Sequence, residues 1–240
     1  MASYQDSAIV LGRLDYSETS QILVLFTRSR GKIRVIAKGI KRGTKNRAAA
    51  PADLLDIGHV TLAIHDERSD SLANLTEWKQ THGLTALREK LSRIHAGQYV
   101  GEITALLTVE ADPHPALFDA LGATLSVISE SDEPLALVVR YQMILLDAIG
   151  SLPRFDSCVK CDSVQGLKYF SSFEGGMICK SCEPGVSEKR EVSAATLEAL
   201  QTQGLSSRPF ALLNYHVSHL AGRPPRTAAP LAPRSAPKSK

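Results

Sequence analysis

Four cysteines are the residues of this sequence best suited to bind a metal ion. They form two CxxC pairs, Cys158-Val-Lys-Cys161 and Cys179-Lys-Ser-Cys182, with seventeen residues between the pairs. Each pair places two sulfur atoms around one ion, and the intervening length suits a small hairpin built on residues 169–176. Four thiolates leave no position for an activated water, so we expect one structural zinc ion, Zn²⁺. Two disulfides or four unused thiols are the alternatives.

A second candidate site is a concentration of positive charge between residues 28 and 47. This stretch holds nine basic residues and no acidic residue, although the formal net charge of the whole chain is only +3. Neighbouring like charges repel one another, and a polyanionic partner relieves that repulsion. A solvated surface is the alternative interpretation. We predict a nucleic-acid-binding surface whose DNA-binding residues are Arg28, Arg30, Lys32, Arg34, Lys38, Lys41, Arg42, Lys45 and Arg47.

No catalytic motif accompanies these two sites. The sequence has no GxxxxGK[ST] loop, no HExxH and no GxSxG. The close pair His216 and His219 lies on a predicted helix without a neighbouring carboxylate, which favours structural or surface histidines. A nuclease needs clustered acids to hold metal ions, and the acids here are scattered. We expect no enzyme, with a metal-dependent nuclease kept as the weakest alternative.

The basic stretch lies within a segment that is predicted to be rich in β-structure. Apolar and polar residues alternate between turn-forming pieces, without a helical period. Such closely spaced strands fit a small barrel, and an OB-fold is the natural candidate because it commonly binds nucleic acid on one face. An SH3-like barrel and a small sandwich are the alternatives. The predicted strands are 8–14, 21–27, 32–38, 59–65 and 72–79.

From Thr85 onward the apolar spacing becomes three to four residues, which predicts helices. Two short helices are expected around 87–94 and 99–107, a third after Pro115 and a fourth after Pro134. Ser193 is the predicted cap of a helix through Leu200, and a last helix covers 210–220. We expect these helices to pack as one bundle.

The fold class predicted from these elements is α+β and multidomain. We assign residues 1–80 to an OB-fold barrel, 81–152 and 184–222 to a helical domain, and 153–183 to a four-cysteine zinc module. Residues 223–240 hold several prolines, basic residues and no acid, so we expect a disordered basic tail. The N-terminus has no signal-peptide pattern, and no apolar run is long enough to span a bilayer. We therefore expect a cytoplasmic protein.

These patterns resemble a known family. The order Tyr16-Ser17-Glu18-Thr19-Ser20, then Phe26-Thr27, Gly31-Lys32 and Ala37-Lys38-Gly39 before a basic loop, is similar to the N-terminal barrel of the bacterial recombination mediator RecO. Helices interrupted by CxxC pairs resemble the zinc-bearing members of that family. The likeness covers about residues 4 to 222.

The resemblance implies a non-catalytic protein of recombinational DNA repair. Members of the family bind single- and double-stranded DNA, anneal complementary strands and work with a partner called RecR. Together they help RecA load onto DNA coated by single-stranded DNA-binding protein, which implies a nucleoid-associated location. The implied DNA-binding surface falls on the basic residues between 28 and 42, and the implied zinc ligands are the four cysteines.

Two physical hypotheses compete on this basis. The first is recognition of phosphates, because aromatic residues make up only 5% of the chain and base stacking is then secondary. It predicts DNA binding that ignores sequence and weakens with salt. The second is a protein-interaction adaptor whose helical domain docks acidic partner peptides while the basic stretch steers association.

Overall fold

The computed structural model describes residues 2–38, 52–64, 72–202 and 205–232 of the chain. These residues form two compact units, Met1–Glu130 and Ser131–Lys240. The first unit contains the predicted barrel together with two helices. The second contains the remaining helices and all four cysteines. The finer division into a barrel, a helical domain and a zinc module stays a prediction.

The first unit begins with a barrel of five strands. Neighbouring strands pair in the order β1-β2-β3-β5-β4, and β4 also pairs with β1, which closes the barrel. All pairings are antiparallel except that of β3 with β5, which joins only Val35 to Ala73 and Ile36 to Asn74. This connectivity is that of an OB-fold, so the predicted fold class is confirmed. The strands are β1 (Ala2–Asp15), β2 (Gln21–Thr27), β3 (Gly31–Ala37), β4 (Ile57–Ile64) and β5 (Ala73–His82).

Strand alternation fills the barrel with apolar side chains. The inward-facing positions of all five strands form one buried cluster that includes Val10, Leu23, Val35, Leu62 and Trp78. The predicted β2 is correct to the residue, whereas β1 begins at Ala2 instead of at the predicted position 8. The early part of β1 is polar and pairs with β4, so only its distant partner identifies it as a strand.

Two α-helices follow the barrel within the first unit. They are α1 (Leu91–Leu107) and α2 (Pro115–Glu130), preceded by a short 3-10 helix, Thr85–Arg88. The prediction of two short helices in the region of α1 was wrong. Gly97 and Gly101 lie within α1 and do not interrupt it. Both face the Leu55 side chain, and a Cβ atom at Gly97 would lie only 3.0 Å from Leu55. They provide close packing instead of a break.

The second unit contains three helices and a small sheet. The helices are α3 (Leu135–Ala148), α4 (Ala194–Gln201) and α5 (Phe210–Leu220), of which α3 packs against α5. The sheet has the order β7-β6-β8, with β6 (Leu167–Ser171), β7 (Gly176–Cys179) and β8 (Arg190–Glu191). Ser193 caps α4 as predicted, since its hydroxyl accepts the Thr196 amide at 3.2 Å.

The segment predicted as a disordered tail has structure as far as residue 232. It forms a 3-10 helix, Ala229–Leu231, and buries Ala228. The prediction of disorder was wrong for this part of the segment, and residues 233–240 lie outside the described part. Within the described ranges, every helix is too short or too polar to cross a membrane.

Candidate metal centre and nucleic-acid interface

The four cysteines lie together in the second unit. Their sulfur atoms are all within 4.8 Å of one another, and the sulfur atoms of Cys161 and Cys179 are 3.7 Å apart. Cys179 ends β7, and the other three lie in the turns on either side of the hairpin formed by β6 and β7. The predicted grouping is confirmed, and this cluster could hold one metal ion.

The four thiols have different surroundings. Cys158 and Cys179 are buried, whereas Cys161 is exposed. Burial acts to raise the pKa of Cys158, but amide donors from Cys179, Lys160 and Cys161 outweigh it and lower that pKa to about 6. The pKa of Cys182 is raised to about 12, because hydrogen bonding to Cys161 and Cys179 stabilises its protonated form. A bound cation favours the thiolate form of every ligand.

The hairpin beside the cysteines is fixed by its own contacts. The Val159 amide donates to the Met177 carbonyl at 2.9 Å, which joins the first CxxC turn to β7. Lys160 pairs with Glu174 across 2.5 Å, and Arg154 pairs with Asp162 across 2.8 Å. The sulfur atoms are therefore positioned by a framework that extends beyond the two CxxC motifs.

On the barrel, the basic residues differ in what they contact. Arg28 donates two hydrogen bonds to the Asp119 carboxylate of α2, at 3.0 and 2.8 Å. This hydrogen-bonded pair raises the pKa of Arg28 and lowers the pKa of Asp119. Arg34 pairs with Glu110 across 2.7 Å, and both side chains are about half exposed. These two arginines have carboxylate partners within the first unit.

Lys32 contradicts the expectation of an open basic face. Its ammonium group donates to the carbonyl oxygens of Ala105, at 2.7 Å, and of Thr108. These carbonyls belong to the C-terminal end of α1, where a cation is favourable. Partial burial lowers the pKa of Lys32. This lysine caps a helix and does not lie on a free surface.

The backbone after α1 reinforces this attachment. The Ala111 amide donates to the Lys32 carbonyl at 2.9 Å, and Glu110 forms a β-bridge with Lys32. Part of the basic face of β3 thus serves to bind the connection between α1 and α2. Sequence patterns could not reveal this, because the partners lie more than seventy positions away in the chain.

The structure describes only two of the remaining basic residues, Arg30 and Lys38. Arg30 is exposed and stacks over the Tyr4 ring, with its guanidinium carbon 3.9 Å from the ring centroid. Lys38 is exposed at the end of β3. The other predicted DNA-binding residues, Lys41, Arg42, Lys45 and Arg47, lie outside the described residues.

The second unit also contains a buried histidine, His216, whose two ring nitrogens both have hydrogen-bond partners. The Nε2 atom of His216 lies 3.0 Å from the Ser151 carbonyl, and its Nδ1 atom lies 2.7 Å from the Ser172 hydroxyl. A carbonyl can only accept, so Nε2 carries the proton and Nδ1 accepts from Ser172. Burial lowers the pKa of His216. Among the described residues, only the cysteines form a group that could bind a metal.

Comparison with known proteins agrees with both halves of this architecture. The family model described as "Recombination protein O N terminal" matches residues 1–84, and the model described as "Recombination protein O C terminal" matches residues 88–210. The chain belongs to the RecO family. The predicted family is therefore confirmed across the barrel and across the part that contains the cysteines.

Individual RecO proteins are similar over most of the chain. A protein named DNA repair protein RecO from Rhodopirellula baltica is 33% identical over 206 residues, which cover 84% of this chain and 74% of the relative. The RecO protein of Myxococcus xanthus is 29% identical over 235 residues, covering 93% and 94% of the two chains. The RecO protein of Bacillus subtilis is 31% identical over 174 residues, or 72% and 66%.

Membership of this family establishes the general role. RecO proteins are mediators of DNA repair and recombination, and they are not enzymes. The prediction of a DNA repair function and the prediction that the protein is not an enzyme are confirmed on this ground. A nuclease is excluded as an interpretation.

Proposed function

We propose that this RecO-family protein binds single- and double-stranded DNA and promotes annealing of complementary strands during recombinational repair. With RecR, it helps RecA load onto DNA coated by single-stranded DNA-binding protein. The match of both RecO family models to the chain is the observation that carries this proposal. A location at the nucleoid in the cytoplasm follows from these partners.

The DNA contacts are assigned to the basic residues from 28 to 47 with different weights. Arg30 and Lys38 are exposed, and we assign them direct phosphate contacts together with Lys41, Arg42, Lys45 and Arg47. Arg28 and Arg34 contribute more weakly, since each already pairs with a carboxylate that a phosphate has to displace. Lys32 acts indirectly, by holding α1 against β3.

We assign one structural zinc ion to the cysteines. Four cysteine sulfur atoms within 4.8 Å of one another supply the donor set of a closed, tetrahedral zinc site. Such a site would stabilise the hairpin between β6 and β7 by joining the turns on either side of it. Cys158, Cys161, Cys179 and Cys182 would be its ligands.

The test is strand annealing by the full chain, with complementary oligonucleotides and with or without single-stranded DNA-binding protein. Annealing should accelerate, and the affinity for single-stranded DNA should fall with salt at a log–log slope near −3.5 if about five phosphates are contacted. Replacing Arg30 and Lys38 by glutamate should weaken DNA binding at least tenfold.

The matched control is Arg140→Glu with Arg208→Glu, two exposed arginines of the second unit that give the same change in net charge. This control should bind DNA within about twofold of the wild type. An affinity that hardly responds to salt, or equal losses in both double variants, would contradict phosphate recognition by the barrel.

A further inference from the structure

Two carboxylates of the first unit pair with basic residues that are assigned to DNA. Asp119 of α2 accepts from Arg28 at 3.0 and 2.8 Å, and Glu110 accepts from Arg34 at 2.7 Å. The partners are 91 and 76 positions apart in the chain, so the fold itself brings these acids to the basic residues. We call Glu110 and Asp119 the covering carboxylates.

The pair of Arg28 and Asp119 has the geometry in which arginine also binds a phosphate. The Nε and Nη2 atoms of Arg28 each donate to a different carboxylate oxygen of Asp119. A guanidinium group donates in the same bidentate way to two phosphate oxygens. Asp119 therefore occupies a pair of donors that suits a DNA phosphate, and Glu110 occupies the Nε donor of Arg34.

The covering carboxylates are held in place by backbone structure as well as by their ion pairs. Glu110 forms a β-bridge with Lys32, and the next amide, that of Ala111, donates to the Lys32 carbonyl at 2.9 Å. Asp119 lies in the second turn of α2, which begins at Pro115. Because both acids are tethered in this way, each stays near its arginine and competes with a ligand at a high effective concentration.

Both ion pairs are nevertheless accessible to a competing anion. All four side chains, those of Arg28, Asp119, Arg34 and Glu110, are about half exposed. Exposed ion pairs gain little over solvation by water, so each pair opens readily. A phosphate that displaces a covering carboxylate leaves that carboxylate unpaired beside the DNA, where the two negative charges repel each other. Displacement is therefore feasible, and it has a cost.

We propose that Glu110 and Asp119 are autoinhibitory residues, which limit the affinity for DNA by competing with phosphates for Arg34 and Arg28. This inference rests on the proposed DNA binding and extends it, because it assigns a role to two acids outside the basic stretch. Arg30 stacks on an aromatic ring and keeps its charge available for a first phosphate contact. Arg28 and Arg34 contribute only when the acids are displaced, which keeps the complex with DNA weak enough to be reversible.

The test measures the affinity of the full chain for a labelled single-stranded oligonucleotide, in the wild type and in the double variant Glu110→Gln with Asp119→Asn. The amides keep the size of both side chains and remove their negative charge. The affinity of this variant should rise at least fivefold. Its log–log salt slope should become steeper by about 1.4, because two further arginines contact phosphates and each phosphate of a single strand contributes about 0.7.

The matched control is Glu77→Gln with Glu130→Gln, two exposed acids of the first unit that give the same change in net charge. Glu77 accepts from the Thr61 hydroxyl, and Glu130 is the last residue of α2. This control measures the general effect of removing two negative charges. It should raise the affinity for the oligonucleotide less than twofold and leave the salt slope unchanged.

A quadruple variant shows whether the gain in affinity depends on the two arginines. Adding Arg28→Gln and Arg34→Gln to the variant without covering carboxylates removes the cations that those acids had occupied. The affinity and the salt slope should then return to within about twofold and about 0.5 of the wild-type values.

The result separates this inference from the proposed function. If replacing Glu110 and Asp119 raises the affinity no more than the control does, or leaves the salt slope unchanged, the inference fails while DNA binding stands. A quadruple variant that keeps the raised affinity would likewise overturn it, because the gain would not depend on Arg28 and Arg34. Absence of DNA binding by the wild type and by every variant would overturn the proposed function itself.

Discussion

At the scale of single residues, Lys32 shows that a charge in a basic stretch can have a structural role. Substituting Lys32→Met keeps most of the side-chain volume but leaves the Ala105 and Thr108 carbonyls without their donor. We expect the free energy of unfolding of the first unit to fall by about 1–3 kcal/mol, the cost of unsatisfied buried polar groups.

Urea denaturation followed by circular dichroism measures this loss. Arg34→Met is the matched control on the same strand face, and it should cost less than about 1 kcal/mol because it removes only a half-exposed ion pair. Equal losses in the two variants would show that the capping bonds of Lys32 contribute nothing special.

His216 makes the stability of the second unit dependent on pH. Its pKa in the folded protein lies below the ordinary value of 6.5, because burial disfavours the charged ring. The unfolded chain therefore binds the proton first as the pH falls, and stability decreases below about pH 6.5. The loss between pH 6.5 and 5.5 should be at most about 1 kcal/mol, the limit for one histidine that stays neutral in the folded protein, since one pKa unit corresponds to about 1.4 kcal/mol.

Urea midpoints at pH 7.5 and 5.5 test this dependence. His216→Gln should be less stable at both values but should lose less on acidification than the wild type does. His219→Gln, at an exposed histidine of the same helix, should keep most of the dependence on pH, because burial is the largest cause of the lowered His216 pKa. Other groups that titrate in this range affect all three proteins, so the difference between variants isolates His216.

At the scale of elements, the contact between β3 and the segment after α1 depends on a glycine. Gly31 has φ of +69°, and a Cβ atom there would lie 1.9 Å from the Asp112 carbonyl oxygen. Gly31→Ala should destabilise the first unit by about 2–5 kcal/mol, the sum of backbone strain and overpacking. Gly150 has the same φ and no atom within 4 Å of its Cβ position.

Gly150→Ala is therefore the control for strain alone, with an expected loss of about 1–2 kcal/mol. Thermal unfolding of both variants gives the comparison. The difference between them measures the close approach of Asp112 to β3. A loss at Gly31 no larger than the loss at Gly150 would show that the segment moves away easily.

Element types were predictable from the sequence where periodicity was local. Strand β2 and helix α5 match their predicted bounds because alternation or helical spacing marks both ends. The start of β1 and the continuity of α1 were missed, since the first depends on pairing with β4 and the second on Leu55 packing against glycines. Both depend on contacts distant in sequence, which periodicity does not record.

The candidate sites divide in the same way. The cysteine cluster was predictable because the spacing within and between CxxC pairs already constrains the geometry. The partners of Arg28, Lys32 and Arg34 were not predictable, because Asp119, Glu110 and the end of α1 are brought to β3 only by the fold. A count of charges in a sequence therefore overstates the charge that remains available for a ligand.

At the scale of the whole molecule, removal of the proposed metal should affect one unit. All four cysteines lie in the second unit, so a chelator should raise amide hydrogen exchange at least tenfold across the hairpin of β6 and β7. Exchange in the barrel core should stay unchanged. Mass spectrometry of peptic fragments measures both regions in one experiment.

The control is Cys182→Ser, which should show fast hairpin exchange before chelator is added and little change afterwards. Metal analysis of the purified wild type should give one zinc per chain. A hairpin that stays protected after complete removal of the metal would contradict the structural role assigned to the four thiols.

The barrel closes through a parallel pairing of only two residue pairs, Val35 with Ala73 and Ile36 with Asn74. Every other strand pairing in the barrel is longer, so we expect local opening of the barrel to begin between β3 and β5. Lys38, a proposed DNA contact, follows Ile36 by two positions, so an oligonucleotide bound there would stabilise the barrel at its shortest strand pairing. The protein would therefore resist proteolysis better with DNA bound than without DNA.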